Sequence, residues 1–226
     1  MDLKLRDVAE LLNVSETTVR RWVDNDRIPY YRLNQETRFS RQEIENWVLS
    51  AKEDGFTDEE SLGTQHFGLY RAIHKGSVYK DIPGDTKEEV IRNAVDLIAA
   101  DINLDAEVIT ELLLDREKLM PTALSNGVAV PHTRDFLIPE SFDVVAVVFP
   151  KKPIEFGALD NQKVDVLFFL FACDDKRHLH LLAKLAHLSR NAENIAYLHS
   201  HPSKQNLLEY VKDWEGSLNK GLTNKI

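Results

Sequence analysis

The chain has 226 residues, 43% of them hydrophobic and 29% charged, with a formal net charge of −9. These values suit one large or two modest globular domains, and argue against a disordered chain or one that coats nucleic acid indiscriminately. The most apolar stretch, Val164 to Cys173, falls short of the about 20 residues a membrane helix needs, the start MDLKLRD lacks the apolar core of a secretory signal, and the single cysteine fits a reducing cytosol. In chain order, residues 3–12 (LKLRDVAELL) place Leu5, Val8, Ala9 and Leu12 on one helical face. Asn13-Val14 breaks that pattern, and Asn13 tolerates the left-handed conformation a tight turn asks for. Ser15 then caps a second helix, ETTVRRWVD, with Val19, Trp22 and Val23 as its apolar stripe. Small Ala9 lets the two helices cross closely, and Val14 and Val19 fill the angle between them.

The polar side of the second helix carries Thr17, Thr18, Arg20 and Arg21. In a helix-turn-helix the N-terminal part of this helix reaches base edges in the major groove. The next stretch, IPYYRLNQETRFS, alternates like a hairpin wing around Asn34-Gln35-Glu36 and bears Arg32 and Arg38. RQEIENWVL reads as a third helix packing Ile44, Trp47 and Val48. Residues 20–41 carry six arginines against three acids, a local net of +3 within a first fifty residues whose net is −1; phosphate contacts need such cations. The patterns VAELLNVSETTVRRWVDNDRIP and RFSRQEIENWV resemble the winged helix-turn-helix of the excisionase and MerR-like families over about residues 3–49. The resemblance implies DNA binding, with a homodimer as the form of useful affinity. A helical module serving protein contacts is the alternative.

Residues 51–65, with Glu53, Asp54, Asp58, Glu59 and Glu60 and few large apolar side chains, read as a solvated acidic connector. From residue 66 the pattern becomes mixed α/β. GLYRAIHKGSVY reads as extended. Thr86 and Glu89 form a capping box ahead of Val90, Ala94, Leu97 and Ile98. Asp105 starts a helix, AEVITELLLDREKL, ending near Arg116. Asn126-Gly127 is a turn signal before the short apolar run Val128-Ala129-Val130. Pro131 cannot donate to a ladder, so pairing is expected to stop there and leave His132 at a strand end, positioned and accessible. DVVAVVF and VDVLFFLFA read as neighbouring central strands of a covered sheet. Asp174-Asp175 precede a helix, HLHLLAKLAHLSRN, and NLLEYVKDW makes a last one. The expected fold is therefore two domains: a small, mainly α winged helix-turn-helix over 1–50, then, after the connector, an α/β domain over 66–221 with a mixed sheet flanked by helices.

The segments DREKLMPTALSNGVAVPHTR, PIEFGALDNQKVDVLFFLFA and HLHLLAKLAHL together resemble the enzyme IIA domain of the fructose/mannitol class in the bacterial phosphoenolpyruvate-dependent phosphotransferase system, its nitrogen-regulatory members especially. The resemblance implies that His132 accepts a phosphoryl group from a small phosphohistidine carrier (HPr-like), that the Arg-Glu pair upstream falls on Arg116-Glu117, and that the histidine opening the later helix is His178. A neutral imidazole is a competent nucleophile near pH 7, and phosphoryl transfer asks the protein mainly for positioning and charge stabilisation. Arg116 is expected to neutralise the group with its planar fork of donors, and His178, at a helix N-terminus, to donate to it. Thr133 departs from the glycine usual after this histidine, so docking of the carrier is expected to be slower or altered in preference. His178, His180 and His187 do not make a metal site: 178 and 180 point to different helical faces, and no Cys or Glu completes a cluster. No cofactor is expected, the phosphoryl group being carried covalently.

The absence of a membrane span and of a second phosphoacceptor domain, together with the DNA-binding resemblance, points to a cytosolic regulator whose phosphorylation state is coupled to DNA or to regulatory protein targets, a phosphocarrier rather than a turnover enzyme. A phosphocarrier for sugar uptake, and a non-phosphorylated transcription factor using the IIA fold as sensor, are the alternatives.

Overall fold

The structure is a computed structural model that describes residues 2–12, 14–33, 36–50, 68–133, 135, 137–138 and 143–223. Asn13, the Asn34-Gln35 turn and the connector over 51–65 lie outside the described residues. The N-terminal unit runs β1 (Asp2–Lys4), α1 (Leu5–Leu12), α2 (Glu16–Asp24), β2 (Tyr31–Leu33), β3 (Glu36–Ser40) and α3 (Arg41–Ser50). Ser15 caps α2 as its sequence suggests, its hydroxyl accepting Thr18 N at 3.0 Å. Val8, Leu12, Val19, Trp22, Phe39, Ile44 and Val48 form the core. Trp47 lies 5.4 Å from Trp22, ring centre to ring centre, and its indole N–H donates to Arg27 O at 2.7 Å.

β1 is an element the sequence reading lacks, because it began the first helix at residue 3. The hairpin uses one edge of β3; Asp2, Leu3 and Lys4 pair antiparallel with Ser40, Phe39 and Arg38 along the other. Three residues carry no periodicity of their own. The unpaired edge of a distant strand recruits them.

The second unit comprises α4 (Leu69–Lys75), β4 (Val78–Ile82), α5 (Lys87–Ile102), α6 (Ala106–Leu119), β5 (Val128–Ala129), β6 (Val144–Pro150), β7 (Val166–Phe171), α7 (Asp175–Leu188), α8 (Ala192–Leu198) and α9 (Lys204–Thr223). The sheet order is β4-β6-β7-β5; β6 and β7 pair antiparallel at its centre, and β4 and β5 add in parallel at its edges. Thr86 and Asp105 cap α5 and α6. The Glu89 carboxylate reaches Asp85 N at 2.7 Å, one residue earlier than an ideal capping box.

Two segments differ from the sequence reading. GLYRAIHKGSVY is extended only in its last part. Leu69–Lys75 is helical, with Leu69, Ala72 and Ile73 buried at helical spacing. The reason is a long-range partner: the Glu215 carboxylate, from α9, accepts Leu69 N at 2.7 Å and Tyr70 N at 3.1 Å, supplying the cap that Gly68 cannot. The helix α8, capped by Asn191, was likewise absent from the sequence reading.

Alternate residues of the central strands feed two cores. Val144, Ala146 and Val148 of β6 pack with α5 and α6, whereas Val145, Val147 and Phe149 join α4 and α7. The second cluster runs without a break into the N-terminal core. Helix α7 is buried from His178 through Ala186 because β7 lies on one side of it and α1 and α3 on the other. The two units thus share one apolar interior, with α7 as the layer between them.

Candidate functional site

The turn before β5 has both central residues in the left-handed region, Asn126 at φ 64° and Gly127 at φ 72°, the conformation a tight Asn-Gly turn demands. Leu124 N donates to Val128 O at 2.8 Å and Val130 N to Thr122 O at 3.0 Å, closing the loop on itself. From Val128 onward the chain alternates; Val128 and Val130 face the α7 core, and His132 follows in the same phase. Its Nδ1 lies 2.7 Å from Val130 O. A carbonyl only accepts, so Nδ1 carries the proton and Nε2 the lone pair. The ring of His178, in the first turns of α7, meets the His132 ring edge to face at 5.1 Å between centres.

Two expectations for this segment are corrected. Pairing does not stop at Pro131: its carbonyl accepts Leu170 N at 3.0 Å, and His132 forms a bridge to Leu170. Proline lacks a donor but keeps its acceptor, and a parallel neighbour uses that acceptor. His132 is also not exposed. It and His178 each have 0% of their surface open to solvent, since continued pairing holds the ring against β7 while α7 closes over it.

Arg116 is 6% exposed, and its Nη1 donates to Met120 O at 3.0 Å. It acts on the loop leading to β5. Glu117 grips the same loop: its carboxylate accepts Thr122 N at 3.0 Å and Thr122 Oγ1 at 2.6 Å, with Lys87 Nζ at 3.4 Å. Burial pushes the Glu117 carboxyl above the ordinary carboxylate range, against the Thr122 hydrogen bonds and the Lys87 charge, which pull it down. Two more bonds continue the path, Val130 N donating to Thr122 O and the His132 ring Nδ1 to Val130 O. The Arg-Glu pair therefore anchors the segment that aims the imidazole. Thr122, given no role from sequence, is the link; a buried Thr five residues after a Glu is too weak a signal to find it.

Thr133 is 4% exposed, and its Oγ1 accepts Asp135 N at 3.1 Å, bracing the chain after His132. The N-terminus of α7 is already capped, Asp174 accepting Arg177 N at 2.8 Å. His178 N donates to Asp174 O at 3.0 Å, so its backbone group lies within the helix and its ring is what reaches His132. Burial pushes the Cys173 thiol up to about 11, so it is not a thiolate nucleophile. Among the described residues no three His, Cys, Asp or Glu side chains gather to hold a metal ion.

In the N-terminal unit, Arg20, Arg32 and Arg38 line one groove of about 480 Å³ together with Lys4, Arg6, Asp24 and Glu36. Lys4 and Arg6 were missed from sequence, because only the β1–β3 register sets Lys4 opposite Arg38. Arg38 is ion-paired with Glu36. Thr17 and Arg21 are exposed on α2, as are Arg20 and, in β2, Arg32. Thr18 shares its hydroxyl with Ser15 at 2.8 Å, within the helix cap.

Residues 71–214 match the family described as "Phosphoenolpyruvate-dependent sugar phosphotransferase system, EIIA 2", and residues 3–52 match "Helix-turn-helix domain". A nitrogen regulatory protein of Pseudomonas aeruginosa is 33% identical over 148 residues, 64% of this chain and 95% of that protein. One from Escherichia coli is 33% identical over 135 residues, 58% and 82% of the two chains. The crystal structure of nitrogen regulatory protein IIA-Ntr from Neisseria meningitidis superposes with a TM-score of 0.53 at 25% identity, covering 61% of this chain and 94% of that one. No helix among the described residues is long and apolar enough to cross a membrane. A mixed sheet flanked by helices, carrying a histidine pair under a capped helix and preceded by a helix-turn-helix unit, thus belongs to the EIIA type 2 family of the phosphotransferase system.

Proposed function

We propose that the protein is a cytosolic regulator that accepts a phosphoryl group on His132 from a phosphohistidine carrier and couples that state to its N-terminal DNA-binding unit. The observation that carries the reading is the His132 ring itself, with Nδ1 committed to Val130 O and the His178 ring at 5.1 Å. In the transfer, His132 Nε2 attacks phosphorus, the P–N bond of the donor breaks, and the donor ring keeps the electron pair. The proton on His132 Nδ1 stays on that nitrogen, hydrogen-bonded to the Val130 carbonyl, so the phosphorylated ring is cationic and offsets part of the phosphoryl charge, while the donor ring, protonated on its other nitrogen, leaves as neutral imidazole. Glu117 and Arg116 hold the loop that orients the ring, and His178 lies where it can donate to a phosphoryl oxygen. The regulatory sense, rather than sugar uptake, is supported by the helix-turn-helix match and by the two nitrogen regulatory relatives.

The test is incubation with phosphoenolpyruvate, enzyme I and the carrier protein, followed by intact mass. The wild type should gain one phosphoryl group, and His132→Ala none. No adduct on the wild type removes the reading. An adduct that persists on His132→Ala moves the site elsewhere.

A further inference from the structure

Resting on that phosphoryl-acceptor reading, we infer that the N-terminal unit and the phosphoryl donor compete for one surface, the first turns of α7, with the Arg41–Asp175 pair latching the unit over His132. His132 and His178 are both fully buried, yet transfer requires a second protein to bring its phosphorus within bonding distance of Nε2. Part of the cover must leave.

The contacts show which part. On one side α7 packs against β7, a central strand that cannot move without opening the sheet. On the other side it packs against α1 and α3 of the N-terminal unit. Arg41, the first residue of α3, donates to the Asp175 carboxylate in the first turn of α7. Asp175 lies one turn before His178, on the same side of the helix, so the latch sits one helical turn from the ring that touches His132.

Packing and hydrogen bonding favour the same two states. The buried Arg41 Nε and Nη2 have no hydrogen-bond partner among the described residues, so the docked arrangement leaves two guanidinium donors unsatisfied. The shared apolar interior holds the docked unit, and the Arg41–Asp175 pair at its edge adds about 1 kcal/mol at most. A phosphoryl group on Nε2 needs room where His132 and His178 now have no exposed surface, beneath a helix mouth whose Asp143 and Asp174 are paired with Arg177 and whose Asp175 is paired with Arg41. Docked means unphosphorylated; phosphorylated means released. The cationic groove lies on β1, α2, β2, β3 and the first residues of α1, the helix that also packs on α7, so release changes the placement of the DNA-directed groove.

The test is charge reversal in the full chain. With the phosphohistidine carrier as donor, Arg41→Glu should take up the phosphoryl group about fivefold faster than wild type, the size of effect a partly exposed ion pair exerts. The swap Arg41→Glu with Asp175→Arg should return the rate toward wild type. A second measurement needs no variant: hydrogen exchange in α1 and α3 of the wild type should rise on phosphorylation. Equal rates for wild type and Arg41→Glu, or unchanged protection of α1 and α3, overturn this inference and leave the acceptor reading standing. A wild type that takes up no phosphoryl group removes both.

Discussion

Buried imidazoles in the second unit behave according to what their nitrogens meet. His132 meets a backbone carbonyl that selects its tautomer, whereas the buried Nε2 of His180 has no hydrogen-bond partner among the described residues. Burial first, then Lys184 and Lys176, pull the His180 pKa from 6.5 down to about 4. The folded state therefore holds His180 neutral, and the unfolded chain binds the extra proton between those values. Its contribution to stability is complete above pH 6.5, falls as pH drops from about 6.5 to about 4, and is constant below; by linkage the loss is on the order of 3 kcal/mol at most. Urea unfolding at pH 7.5 and 4.5 should show a smaller acid loss for His180→Leu than for wild type; equal losses would refute the assignment. At this scale the sequence marked His132, His178 and Arg116 through their motifs. It could not tell that His132 is enclosed, because enclosure depends on α7, more than forty residues away.

Elements are set by local pattern where the pattern is long and by neighbours where it is short. The helices α5, α6 and α7 were legible from apolar spacing and capping residues, and β6 and β7 from continuous apolar runs. β1 and α4 were not, since a strand edge and the Glu215 carboxylate stabilise them from afar. Two glycines separate close packing from simple helix propensity. A Cβ on Gly76, where the chain leaves α4, would lie 2.2 Å from Val145 O of β6. Gly76→Ala is therefore expected to cost about 3 kcal/mol or more, since backbone rather than a mobile side chain must give way. Gly216, inside α9, would meet nothing within 4 Å. Gly216→Ala should stabilise by about 0.5–1 kcal/mol. Thermal melts of the two variants should move in opposite directions; a shared direction would contradict this account of the α4–β6 contact.

The whole molecule carries a net charge of −9, so the DNA binding proposed above requires a local concentration of cations. The groove that gathers Lys4, Arg6, Arg20, Arg32 and Arg38 around Asp24 and Glu36 is the candidate. Replacing Arg20 and Arg32 together by alanine should lower the slope of log affinity against log salt by about two, one for each lost cation. Mobility shifts over a salt series check this, and an unchanged slope would place the DNA face elsewhere. From its own residues the chain determined which faces are apolar and where helices start, because these follow from periodicity, caps and side-chain chemistry within a few residues. Only the tertiary structure decided that α1 and α3 lie on α7, that Arg41 meets Asp175, and that His132 is enclosed between β7 and α7. An apolar stripe states that it needs a partner, but which partner it finds depends on the shapes of surfaces brought together from distant parts of the chain.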